Sequence, residues 1–155
     1  DSIGLRYFNV FGKRQNPNGS YAAVIPCWIR SFMDSSNVYI NGDGQTSRDF
    51  CYIENVVQAN ILAAMSENKE ALNQVYNIAF GESTSLNKLF KYIENSFLKI
   101  PSYQTPNIIY RDFRKGDVIH SLADISKASQ ILGYDPTHNI SDGLNDCISW
   151  YINND

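Results

Sequence analysis

The chain has 155 residues, 43% of them apolar, and a formal net charge of −3, which describes one globular domain with a real core and leaves too little length to expect two. The acidic balance argues against a general nucleic-acid or membrane-surface binder, so any anionic ligand must be met by individual arginines. No apolar run approaches the length that spans a bilayer, and no signal-peptide pattern opens the sequence.

In chain order, residues 3–10 (Ile-Gly-Leu-Arg-Tyr-Phe-Asn-Val) read as a mostly apolar strand of the kind buried on both faces in a parallel sheet. It begins within a few residues of Asp1, so neighbouring strands must come from elsewhere, and a fragment or sub-domain is expected. A turn-rich, partly basic loop runs from Asn9 to Ser20, and a helix follows from Ala22 to Asp34 with Pro26 in its first turn. Residues 38–53 then read as a strand, a Gly42-Asp43-Gly44 turn, a loop carrying Arg48 and a second strand beginning at Phe50. Taken alone, that stretch is an ordinary hairpin with a solvated arginine.

Glu54 to Ser66 forms the next helix, with Val57, Ile61, Ala64 and Met65 at helical spacing, and Gln74 to Ala79 alternates as a strand. A turn and N-cap within residues 81–85 precede a helix from Leu86 to Leu98, whose Leu86, Leu89, Phe90, Ile93 and Phe97 share one face. Residues 107–111 form a further strand. Asp124 is placed to cap a short helix ending at Gly133, and Ser141 to cap the last helix. The resulting class is α/β or α+β. Cys27, Cys51 and Cys147 read as reduced core thiols of a cytoplasmic protein, and His120 and His138 are too isolated to indicate zinc.

The sequence contains no GxGxxG, GxxxxGK[ST], GxSxG or HExxH pattern, so no catalytic apparatus is legible. A binding site has more support. Arg48 follows one glycine turn, and Arg111, Arg114 and Lys115 stand beside another at Gly116. Arginine pairs bidentately with phosphate oxygens, so two such loops converging would hold a diphosphate. Asn9 leaves the first strand at its C-terminal end, where ligands of open α/β sheets collect. Tyr39 offers a ring for stacking, with Asn41 beside it. Each residue also has a plain alternative as a surface charge, a turn residue or strand packing, and the residues alone leave these open.

Several of these segments together resemble a known family. Residues 5–12 (Leu-Arg-Tyr-Phe-Asn-Val-Phe-Gly), 40–44 (Ile-Asn-Gly-Asp-Gly), 47–50 (Ser-Arg-Asp-Phe), 113–118 (Phe-Arg-Lys-Gly-Asp-Val) and 123–124 (Ala-Asp) match, in order and spacing, the nucleotide-sugar epimerases of the extended short-chain dehydrogenase/reductase family. The string from Arg14 to Pro26 is similar to the bacterial UDP-N-acetylglucosamine 4-epimerases of surface-polysaccharide synthesis. The resemblance covers the whole chain but only the C-terminal half of such an enzyme. It implies an α/β substrate-binding part, residues 1–155, with a small mixed sheet and packed helices, and with the N-terminal Rossmann half that binds NAD absent.

The same resemblance implies the roles. Asn9 contacts the diphosphate and Tyr7 lies beside the nicotinamide. Ala23, Val24 and Trp28 border the ligand at the start of a helix. Tyr39 and Asn41 serve the uracil, Arg48 and Arg114 clamp the phosphates, Asp117 reaches the ribose and Ser121 lines the sugar pocket. The partner is a UDP-N-acetylhexosamine, with neither nucleic acid nor membrane involved. The family's catalytic Tyr-x-x-x-Lys pair and its Ser or Thr lie upstream of its Arg-Tyr-Phe-Asn segment, so the fragment is expected to be inactive. Self-association through the open edge of the first strand is also expected. Rival readings are another extended-family enzyme, such as a 4,6-dehydratase or a uronic-acid epimerase, and a UDP-sugar-binding module without catalysis.

Overall fold

Alternating apolar residues form short strands that pair in register with distant partners, and amphipathic helices close over them. The computed structural model describes residues 1–18 and 22–154. The strands are β1 (Ile3–Tyr7), β2 (Val10–Phe11), β3 (Val38–Asn41), β4 (Ser47–Arg48), β5 (Cys51–Tyr52), β6 (Gln74–Ile78), β7 (Thr84–Ser85) and β8 (Ile108–Arg111). The helices are α1 (Val24–Met33), α2 (Ile53–Ala64), α3 (Leu86–Phe97), α4 (Ser126–Leu132) and α5 (Ile140–Asn154). β1 pairs with β6, β2 with β5 and β3 with β8, all parallel, whereas β4 and β7 are antiparallel. The class is therefore α/β, with short mixed pairings and packed helices.

Two apolar clusters hold the elements together. The larger gathers Phe11, Trp28, Phe32, Phe90, Phe97 and Leu144 where α1, α3 and α5 meet. Phe32 stacks on Phe97 at 4.9 Å between centroids, and Trp28 meets Phe90 edge-on at 6.2 Å. Each such buried side chain contributes about 1.5–3 kcal/mol. The smaller cluster joins Val56 and Ala59 of α2, Tyr76 and Ile78 of β6, and Ala128 and Leu132 of α4.

Several expectations change. The strand read as continuous over 3–10 is broken at Asn9, whose φ of 34° ends β1 and starts β2. β1 is partly exposed along its length rather than buried on both faces. Residues 38–53 are not a hairpin, because β3 takes β8 as its partner, β4 takes β7 and β5 takes β2. The stripe at helical spacing on α2 lies on its outer side: Val57 and Ile61, with the cap residue Met65, are exposed, and Asn55, Val56 and Ala59 are buried. The last helix is capped by Asn139, whose Oδ1 accepts from the amides of Ser141 and Asp142, and not by Ser141. Asp124 accepts from the Ser126 amide and hydroxyl just ahead of α4, which lowers its pKa. Ser85 caps α3, accepting from the Lys88 amide, and Gly133 ends α4 in the left-handed conformation. The expected helix start at Ala22 moves to Val24. Gly19 and Ser20 of the preceding loop, and Tyr21, lie outside the described residues.

Cys51 and Cys147 are buried and Cys27 is half-buried, all as free thiols. Burial pushes Cys51 up to about 11 and Cys147 up to about 12, so both are poor nucleophiles. No helix among the described residues is long and apolar enough to cross a membrane.

Candidate functional site

The ends of β2, β3 and β4 and the start of α1 converge on a cavity of about 370 Å³, within the roughly 300–1,000 Å³ usual for small-molecule sites. It is lined by Asn9, by Ala23, Val24 and Trp28, by Tyr39 and Asn41, and by Arg48, Arg114 and Asp117. Val10, Phe11, Ala22, Ile25, Cys27, Phe50 and Leu86 add apolar lining and Thr46 a hydroxyl, and none of these is a site residue on the sequence reading. A second concavity of about 390 Å³ lies along β1 and α2, but its lining carries no arginine or lysine. Charge therefore favours the first for an anionic ligand.

Each polar wall residue has a local cause. Asn9 adopts positive φ, which asparagine tolerates better than most residues. Its Nδ2 donates to the Asp49 carbonyl at 3.2 Å, and its own carbonyl accepts from the Cys51 amide at 3.3 Å. Among the described residues this leaves the second Nδ2–H uncommitted. The first turn of α1 adjoins the cavity with Ala23 at the cap position, whose side chain cannot accept from the leading amides, and no side chain among the described residues does so. Those amides and the helix dipole favour negative charge there.

Arg48 is fixed in place. Nη1 donates to the Ser47 carbonyl at 2.8 Å and to the Ile119 carbonyl at 3.3 Å, and Nη2 pairs with Asp117 Oδ1 at 2.8 Å. Beneath it, Asp49 is fully buried, and its carboxylate accepts from the amides of Phe80, Gly81 and Ala123 at 3.1–3.3 Å. Burial raises the Asp49 pKa, and the three amides pull it back. Asp49 thus joins the arginine loop to the end of β6 and to the segment before α4. In the sequence Asp49 stands within the Ser-Arg-Asp-Phe segment that carries the family resemblance, but neither that segment nor the apolar residues 50–52 after it assigns it a role. Ser47 adds a further tie: its hydroxyl accepts from Ser83 at 2.8 Å and lies 2.9 Å from His120 Nδ1.

The glycine turn serves packing. Gly42 and Gly44 have φ of 79° and 77°. A Cβ on Gly42 would run into the Phe113 ring, and one on Gly44 into the Asn87 side chain. Asn87 also donates Nδ2 to the Asp43 carbonyl at 3.0 Å and its amide to the Gly44 carbonyl at 3.0 Å, tying the turn to α3.

Three expectations need adjustment. Tyr39 presents its ring to the Arg111 guanidinium, 3.5 Å from the centroid, so one face is already covered. Ser121 does not line the cavity; its amide donates to the Ser47 carbonyl at 3.1 Å. Tyr7 lies outside it as well, half exposed, with its hydroxyl donating to Asn60 Oδ1 at 3.0 Å. Tyr7 is the one residue that the resemblance places beside the nicotinamide, and its hydroxyl is engaged by Asn60.

Known proteins share this fold. The chain resembles, at 39% identity and a TM-score of 0.85, a UDP-N-acetylglucosamine 4-epimerase from Methanobrevibacter ruminantium M1 solved with UDP-N-acetylmuramic acid, covering 97% of this chain and 46% of that one. A UDP-glucose 4-epimerase from Thermotoga maritima solved with UDP-glucose matches at 35% identity and a TM-score of 0.84, covering 96% and 45%. A UDP-glucuronic acid 4-epimerase from Bacillus cereus, in complex with UDP-glucuronic acid and NAD, matches at 28% and 0.85, covering 97% and 45%. The chain spans less than half the length of the curated relatives it matches. The family description "NAD dependent epimerase/dehydratase family" fits residues 1–79, just over half of the 155. The chain belongs to the NAD-dependent epimerase/dehydratase family.

Proposed function

We propose that these residues form the nucleotide-sugar-binding portion of an NAD-dependent UDP-sugar 4-epimerase, acting on UDP-N-acetylglucosamine and UDP-N-acetylgalactosamine in surface-polysaccharide synthesis. The observation that carries this reading is the single cavity shared by Asn9, the open first turn of α1, Arg48 and Arg114. Both arginines and the helix amides address the diphosphate, and the free N–H of Asn9 adds one donor. Tyr39, one face of its ring backed by Arg111, and Asn41 hold the uracil end. Asp117 is shared between Arg48 and the ribose. Fixing the UDP moiety this way lets its binding energy orient the hexose, which is what non-reacting parts of a substrate contribute to catalysis.

When bound, NAD supplies the hydride acceptor and donor that invert C4. The family's Tyr-x-x-x-Lys pair has no counterpart in this sequence, so the 155 residues by themselves bind without turning over. Calorimetric titration with UDP tests the site: Arg48→Ala weakens binding by about 1.5–3 kcal/mol, the range of a hydrogen bond to a charged group. A smaller change removes Arg48 from the clamp, and epimerisation by the purified chain with added NAD overturns the non-catalytic assignment.

A uronic-acid epimerase is the second reading, because the Bacillus cereus enzyme matches this fold at the same TM-score of 0.85 as the N-acetylglucosamine enzyme. Competition between UDP-N-acetylglucosamine and UDP-glucuronic acid for the cavity separates the two.

A further inference from the structure

The loop that brings Arg114 and Asp117 to the cavity is exposed throughout residues 111–120. Its anchors lie at its two ends. At the start, the Gly42 amide donates to the Arg111 carbonyl at 2.8 Å. At the far end, Asp117 pairs with Arg48, the Ser47 amide donates to the Ile119 carbonyl at 2.8 Å, and the Ser121 amide reaches Ser47. Between them the chain turns back through the Asp117 amide to the Arg114 carbonyl at 3.1 Å, with Gly116 at φ 81°.

Phe113 sits in that gap. It is 60% exposed and belongs to neither apolar cluster, so it does little for the stability of the body. Its ring lies flush on Gly42, where Cε1, Cδ1 and Cζ occupy the space that any side chain at position 42 would need. The contact thus joins the glycine turn of one wall to the residue immediately before Arg114 on the other.

We propose that Phe113 is a positioning residue for the anion site: its ring, seated on Gly42, holds the 112–117 loop so that Arg114 and Asp117 stand at the cavity facing Arg48. The proposal rests on the reading of that cavity as a UDP-sugar site. Without the ring, the loop samples many arrangements. Apparent affinity then falls in proportion to the fraction of molecules with the loop in place.

The test uses Phe113→Ala, Phe113→Tyr, Gly42→Ala and the Phe113→Ala/Gly42→Ala double variant of the whole chain. Two readouts are taken: calorimetric titration with UDP, and the rate of tryptic cleavage after Arg114 and Lys115 without ligand. Phe113→Ala is expected to weaken UDP binding about five- to tenfold and to speed cleavage at those two sites, with the urea midpoint unchanged. Phe113→Tyr restores both readouts. Gly42→Ala displaces the ring and reproduces the loss, and the double variant is less than additive because both changes remove one contact. Wild-type cleavage and affinity in Phe113→Ala overturn the proposal, as does faster cleavage with unchanged affinity. Full additivity in the double variant also overturns it. If the wild-type chain does not bind UDP, the UDP reading of the cavity falls, and the cleavage rates alone then support or overturn the ring contact.

Discussion

The two arginine-bearing walls of the cavity are built on opposite principles. Arg48 is largely buried, with 17% of its side chain exposed, and its guanidinium is held by two carbonyls and one carboxylate, which among the described residues leaves Nε–H and one Nη2–H for a ligand. Arg114 rides an exposed loop, and among the described residues its guanidinium has no hydrogen-bond or ion-pair partner. The first wall is organised by the protein before any ligand arrives; the second is a strap whose cation is still available. A site made this way combines a fixed reference point with an adaptable counter-charge, and the cost of ordering falls on one side alone.

The contrast between the two walls rests most heavily on Asp49, whose carboxylate underlies the fixed one. Asp49→Ala strands three amides, at buried Ala123 and at half-buried Phe80 and Gly81. A loss of about 3–5 kcal/mol of unfolding free energy is expected. Urea denaturation measures it, and a loss below about 1 kcal/mol would mean that the wall is not anchored there.

Next in size is a pair of glycine substitutions. A Cβ on Gly143 in α5 would lie 2.7 Å from Tyr52 Cγ and 2.8 Å from Phe11 Cζ, so Gly143→Ala overpacks the large cluster at about 1–3 kcal/mol. Gly116 in the strap has nothing within 4 Å, so Gly116→Ala meets only the strain of its φ of 81°, about 1 kcal/mol. Thermal midpoints rank the two, and an equal or larger loss at Gly116 would contradict the contrast between body and strap.

The arginines themselves come third. Arg48→Ala costs about 1–2 kcal/mol of stability, whereas Arg114→Ala stays within about 0.5 kcal/mol of wild type while still weakening UDP binding. Thermal melts paired with titration separate these outcomes; equal destabilisation by both would show that the strap is as tightly built as the wall.

The smallest effect lies outside both walls. Lys13 pairs with Asp146 at 2.7 Å, and the Tyr52 hydroxyl donates to the same carboxylate, so the Asp146 pKa is lowered first by Lys13 and then by Tyr52. The stability this adds is present above the ordinary aspartate value near 3.9 and is lost as pH falls through the lower folded value. Asp146 is half exposed, so the difference between wild type and Asp146→Asn is under about 1 kcal/mol and closes on acidification. Asp49 has the opposite sign: its raised pKa gives stability that is full below the ordinary aspartate value and declines as pH rises through the folded one. Unfolding free energies from pH 2 to 6 read both, and a gap at Asp146 that widens in acid would refute the pairing.

Much of this was visible in the residues, and unevenly so. The α3 face of Leu89, Phe90, Ile93 and Phe97 and the left-handed stop at Gly133 follow from local rules, and both are found as read. The inward face of α2 is not legible in the same way, because Val57, Ile61 and Met65 are as apolar as Val56 and Ala59, and periodicity alone cannot say which of two apolar stripes meets β6. The hairpin was misread for a similar reason. A Gly-Asp-Gly turn states that the chain bends, but strand pairing is settled by which distant segment offers a matching edge. That segment is β8, far along the chain.

The Gly42-Asp43-Gly44 stretch shows where the division falls. The sequence by itself determined that φ turns positive there, that Arg48 follows on an extended flank, and that the order of motifs matches the epimerase/dehydratase family, because these depend on local conformation and on residue order. Only the tertiary structure decided why two glycines are needed. One seats the Phe113 ring and the other seats Asn87, contacts made between residues separated by tens of positions. The same long-range packing decided that Arg48 is committed to Asp117 while Arg114 remains available, since charge partners are set by which loops the core brings together and not by their spacing along the chain.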